Sequence, residues 1–193
     1  MLYNFVLFLH ILGAVIMFVA VGITLTAMIA MLHSTKTENI RIWSALAVKL
    51  DGLLPFSVIL ILLPGLYLVI STWGWGKPWV DFSLAALIIM TFMGPIINLR
   101  RLKAVLSAVS TETNDVPSPG LIDKVRDRVL WNSVLIMTML TLAILFLMAM
   151  KIALVGSIIT LVVAIILGFI VSKIVLSRAS AKITTSNSTF IEK

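Results

Sequence analysis

The sequence predicts an all-α membrane protein: five transmembrane helices in one bundle, N-terminus out and C-terminus in. Three observations predict it. Of the 193 residues, 61% are hydrophobic and 12% charged, against roughly 45–50% and about 25% in a soluble domain, and mean hydropathy is +1.16. Five long windows, 1–35, 52–76, 82–99, 129–150 and 152–172, carry no Asp, Glu, Lys or Arg. The basic residues gather between alternate windows.

Crossing a hydrocarbon core of about 30 Å takes about 20 helical residues, and backbone groups in lipid must pair within the segment, so each window reads as a helix. The spans fall near 5–32, 53–72, 81–99, 129–150 and 154–176. They form a single transmembrane domain over 1–178, followed by a flexible cytoplasmic tail over 179–193, rich in Ser and Thr. The first window lacks a basic n-region and its apolar stretch is about twice a typical h-region, so it reads as a retained span rather than a signal peptide. The second and third carry Pro55, Pro64-Gly65 and Gly94-Pro95, and an interior proline removes a backbone donor and bends its helix. Asp81 stands where it can cap the third span, and Asn98 lies one turn past Pro95. The run 129–176 is broken only by Lys151 and Lys173. As one helix it would be more than twice the membrane thickness, so it must reverse between Lys151 and Gly156. Segments 36–51 and 100–128 are left as loops, with a short surface helix over 121–128 after Pro117-Ser118-Pro119-Gly120.

Thirteen of the fifteen basic residues lie in 36–51, 100–128 and the C-terminal segment; only Lys77 and Lys151 lie on the other side. Basic residues in short loops stay in the cytoplasm, which sets the orientation. The net charge of +7 is thereby a membrane-proximal collar facing anionic headgroups, not a nucleic-acid surface. With no cysteine, a disulfide scaffold, a Cys-ligated metal centre and a thiol nucleophile are excluded. No P-loop, HExxH, GxSxG or Ser-His-Asp set is present. Each carboxylate lies outside the windows, which argues against an ion-coupled transporter.

An ionisable group inside a span is a functional candidate, and His10 is such a group. Steps of three and four from it give Gly13, Met17, Ala20, Thr24, Ala27 and Met31, a small and polar stripe suited to helix–helix contact in lipid. His10 therefore points into the bundle. It reads as an axial haem or metal ligand with Met17 one candidate partner, as a proton-handling group, or as a histidine hydrogen-bonded to a neighbouring helix. His33 is 23 residues away, about 34 Å along a helix, so the two cannot share one haem within a chain. The thioether pairs Met28/Met31 and Met90/Met93 suit Cu(I), but methionine fills apolar cores as readily. Trp73, Trp75 and Trp79, around Lys77-Pro78, read as interface anchors, and Asp81 as a candidate partner fixing the His10 tautomer.

Leu9-His10-Ile11-Leu12-Gly13-Ala14-Val15, Pro64-Gly65-Leu66-Tyr67 and Lys77-Pro78-Trp79 together resemble an uncharacterised family of bacterial integral membrane proteins, distantly similar to the copper-resistance protein D type and to HemJ-type protoporphyrinogen oxidases. The resemblance covers roughly the first half of the chain. It implies a multi-pass protein of the bacterial inner membrane with haem b at His10. The HemJ pattern's arginine late in the first helix has no counterpart, and its lysine after a tryptophan is replaced by Ser83, so the oxidase chemistry does not carry over. Three functions follow: a haem-binding redox-linked protein, a non-catalytic scaffold or accessory subunit binding other membrane subunits or itself, and a small-solute transporter.

Overall fold

The computed structural model describes the backbone of residues 1–191 and the side chains through residue 179. Among the described residues there are helices and no strand. Helix α1 (Leu2–Leu32) contains neither proline nor charge to interrupt it. Helix α2 (Thr37–Asp51) leads through Gly52 and Leu53 into α3 (Leu54–Leu68), which closes in a π-helical turn over Val69–Trp73. Helix α4 (Pro78–Met93) passes through a second π-helical segment, Gly94–Leu99, into α5 (Arg100–Thr111). Short α6 (Pro119–Val125) precedes α7 (Arg128–Met150) and α8 (Leu154–Ile191). Five composite helices are long and apolar enough to cross a membrane: Leu2–Leu32, Thr37–Trp73, Pro78–Thr111, Pro119–Met150 and Leu154–Ala179.

Two segments read as loops are helical. Residues 37–51 and 100–111 continue the spans beyond the first charged residue, because a charge on one face does not end a helix whose other face is apolar. In α2 the buried residues are Thr37, Ile40, Ser44, Ala47 and Asp51; in α5 they are Leu102, Val105 and Val109. Both sets recur at helical spacing. The rod Thr37–Trp73 has 37 residues, about 55 Å at the α-helical rise, well beyond the apolar thickness. Its excess joins α5 and α6 at what we term the basic end of the bundle. There Ile40, Ala47, Leu102, Val109, Leu121 and Trp131 form part of a continuous buried cluster. Arg41 donates to the terminal carbonyls of α5, Val109 at 3.3 Å and Glu112 at 3.2 Å, placing a cation at a helix C-terminus.

The turn expected between Lys151 and Gly156 spans three residues. Lys151 takes a left-handed conformation (φ 51°, ψ 43°), donates its N–H to Leu147, and α8 restarts at Leu154. The tail expected to be flexible over 179–193 falls almost wholly outside the residues with described side chains; its backbone continues α8 to Ile191.

The bundle is held by close backbone approaches. The His10 stripe is the inward face of α1: Gly13, Met17, Ala20, Thr24, Ala27 and Met31 are all buried. A Cβ at Gly13 would lie 2.8 Å from the carbonyl carbon of Leu60, and one at Gly168 2.6 Å from Cα of Ile136. Close packing of this kind holds helices together where the surroundings are as apolar as the side chains. The outward faces carry Phe8, Val15, Phe56, Leu63, Phe92 and Ile159, all more than half exposed, an apolar belt that water would not tolerate at this extent.

Asp127 opens α7. Its carboxylate accepts from the N–H groups of Val129 (2.8 Å) and Leu130 (3.4 Å) and pairs with Arg101. Asp127→Ala is expected to destabilise the protein by about 1–2 kcal/mol, mostly through the lost cap, because the Arg101 side chain is 40% exposed and such pairs contribute little. Thermal denaturation in detergent checks this: Asp127→Asn, which keeps a capping oxygen, should recover most of the loss.

Candidate functional site

Opposite the basic end, α1, α3, α4 and α7 line a partly open cavity of about 380 Å³. Pro64 has no N–H to give the carbonyl of Leu60, and the next carbonyl, that of Ile61, accepts a hydrogen bond from His10 Nδ1 at 2.8 Å. A carbonyl only accepts, so Nδ1 carries the proton and Nε2 keeps its lone pair. Gly65 makes this approach feasible: a Cβ there would stand 3.0 Å from Cε1 and Nδ1 of the imidazole. The π-helical turn after α3 brings Trp73 edge-on to the same ring, centroids 6.4 Å apart at 80°. Trp73 in turn meets Trp79 at 5.4 Å, and Lys151 Nζ lies 5.7 Å from the Trp79 ring centroid.

The cavity wall is apolar apart from a few groups. His10, Ser83 and Thr141 supply polar atoms and Met17 and Met148 supply thioethers. The Ser83 hydroxyl is buried and has no hydrogen-bond partner among the described residues. Thr141 donates to the Met137 carbonyl at 2.9 Å.

The structure brings His10, Met17 and Trp73 together around this cavity. Trp79 is 7% exposed within the cluster of Val69, Val80 and Leu147, which departs from a headgroup anchor; Trp75, at 58%, is exposed as an anchor would be. Asp81 makes no capping hydrogen bond, because α4 starts at Pro78 and leaves Asp81 inside the first turn. The tautomer of His10 is set by the Ile61 carbonyl, not by Asp81. His33 ends α1 and bonds Ile29 at 2.8 Å, exposed and far from the cavity. Met28 and Met31 are buried in the cluster at the basic end, while Met93 is 41% exposed. Among the described residues no cluster of three His, Asp or Glu is placed to hold a metal ion.

The spans are expected to lack carboxylates suited to an ion pathway, but the helix Thr37–Trp73 includes Asp51, which is 5% exposed. It ends the buried face of α2 and lines a second, smaller cavity with Thr24 and Asn98. Cutting windows at charged residues hid it; the spacing 37, 40, 44, 47, 51 would have exposed it. Met17, Leu87 and Thr141 line both cavities.

Fold and site together define a polytopic helical membrane protein with one histidine presented to an apolar cavity. Compared with protein-family models, curated proteins and solved structures, the chain matches none.

Proposed function

We propose that this polytopic membrane protein binds haem b through His10 and serves a redox-linked role in the bacterial inner membrane, with its basic end in the cytoplasm. The observation that carries the reading is the Nδ1–H donated to Ile61, which leaves Nε2 neutral with its lone pair free, on a side chain that lines a 380 Å³ apolar cavity. Ligating histidines characteristically donate their other ring N–H in this way. The volume lies in the range of small-molecule and cofactor sites, about 300–1,000 Å³. The orphaned Ser83 hydroxyl in the wall and the Gly65 cradle under the imidazole also fit a bound group. His10 would hold the iron, and Met17 and Met148 are the thioethers in the same wall. When bound, haem supplies one-electron chemistry whose potential depends on its axial ligands and on burial. The residues of this chain orient the ligand and exclude water. The accessory-subunit reading has less support, since the small-residue face it would lend to partners is buried inside the chain.

An absorption spectrum of the detergent-purified protein from haem-replete cells tests this. A b-type Soret band is expected, lost in His10→Ala and kept in His33→Ala. A folded, colourless, iron-free preparation overturns the reading. Gly65→Ala is expected to displace the imidazole from Ile61 and lower the iron-to-protein ratio, which metal analysis measures.

A further inference from the structure

The second cavity lies between the His10 site and the basic end, where two irregular stretches of helix meet. One is the α2–α3 break, Gly52 and Leu53 followed by Pro55; the other is the Gly94-Pro95 entry into the π-helical segment. Pro55 cannot donate to the carbonyl of Asp51, nor Pro95 to that of Thr91. Irregular backbone at membrane depth is tolerated where it lines a cavity.

The wall of this cavity is mostly apolar, and the few polar side chains in it are Thr24, Asp51, Thr91, Asn98, Thr138 and Thr141. Asp51, 5% exposed, has no hydrogen-bond or ion-pair partner among the described residues. Asn98, 3% exposed, gives Nδ2 to the Met137 sulfur at 3.2 Å and leaves its buried Oδ1 unpartnered. Thr24, also 3% exposed, has an unpartnered Oγ1. Thr91 and Thr138 give their protons to Leu87 and Val134, at 2.7 and 2.8 Å, so each hydroxyl oxygen faces the cavity as an acceptor only. Among the described residues no lysine or arginine lines the space. A carboxylate in such surroundings is neutralised either by a proton or by a bound cation.

Size bears on the choice of cation. The cavity measures about 60 Å³, and one water occupies upwards of about 10–15 Å³ on the same measure. A few water-sized particles fit, which suits a small inorganic ion.

We propose that Asp51, Asn98 and Thr24 form a binding site for a hard alkali-metal cation of the sodium class, held by protein oxygens between the two helix breaks. The carboxylate supplies the charge, and the amide carbonyl and hydroxyl supply neutral oxygens, the ligand chemistry such ions select. The site is separate from His10 and does not depend on haem being bound there.

Binding of radiolabelled sodium ion to the full-length protein in detergent tests it. Wild type is expected to show saturable binding that unlabelled sodium chloride displaces and choline chloride does not. Asp51→Asn removes the charge at constant shape and should reduce binding to background. Thr24→Val and Asn98→Ala should each weaken it by about tenfold or more, the scale of one lost ligand. Gel filtration confirms that each variant is folded, and Thr24→Val, nearly isosteric, keeps the test decisive if Asp51→Asn does not fold. No displaceable sodium binding in wild type, displacement by choline, or undiminished binding in folded Asp51→Asn or Thr24→Val overturns the proposal.

Discussion

Gly168→Ala is expected to destabilise the bundle by about 3 kcal/mol, at the top of the range for overpacking. The added Cβ would sit 2.6 Å from Ile136 Cα and 2.9 Å from Ile136 N. These are backbone atoms in the middle of a helix and cannot swing aside, so α7 and α8 must separate along the contact. The separation forfeits the close packing that holds helices together in an apolar solvent. Gly22→Ala is the matched control. A Cβ there meets nothing within 4 Å, and removing a helical glycine should raise stability by about 0.5–1 kcal/mol. Thermal denaturation in one detergent, followed by the monodisperse fraction on gel filtration, should move in opposite directions for the two variants. Equal behaviour would mean that α7 and α8 do not approach this closely.

Trp131→Ala is expected to lose about 3–5 kcal/mol, the range for deleting a fully buried large aromatic. Trp131 is 0% exposed at the start of α7, and its indole N–H donates to Val125 at 2.9 Å. That bond ties α7 to the end of α6. Truncation would leave a large void in the cluster that joins α1, α2, α5 and α6, and would strip the Val125 carbonyl of its donor. Trp131→Phe, which refills most of the void but not the bond, should lose about 1–2 kcal/mol. Denaturation midpoints of the three proteins check the order wild type, Phe, Ala.

Much of the fold is legible in the sequence because lipid imposes a length and forbids charge. Charge-free windows locate all five crossings, and the steps of three and four from His10 reproduce the buried face of α1. The same criterion fails where helices leave the apolar layer. Lys49 and Asp51 lie outside the second window, yet both belong to α2, and Asp51 is buried. In α5, Leu102, Val105 and Val109 mark an amphipathic helix that counting charges reads as a loop. The candidate site is legible only in part. That His10 faces the interior follows from periodicity; that its partner is the Ile61 carbonyl does not, since every residue has a carbonyl and only tertiary packing selects one. The burial of Trp79 has the same origin: it rests on Val69, Val80 and Leu147, contributed by three different helical segments.

Met17, Leu87 and Thr141 border both cavities, so the septum between them is a single layer of side chains. Substitutions there report on two chambers at once, and a Met17 variant needs both the optical and the ion-binding assay before its effect can be assigned to either. Trimming Met17 to alanine would thin the wall shared by the imidazole's chamber and the carboxylate's.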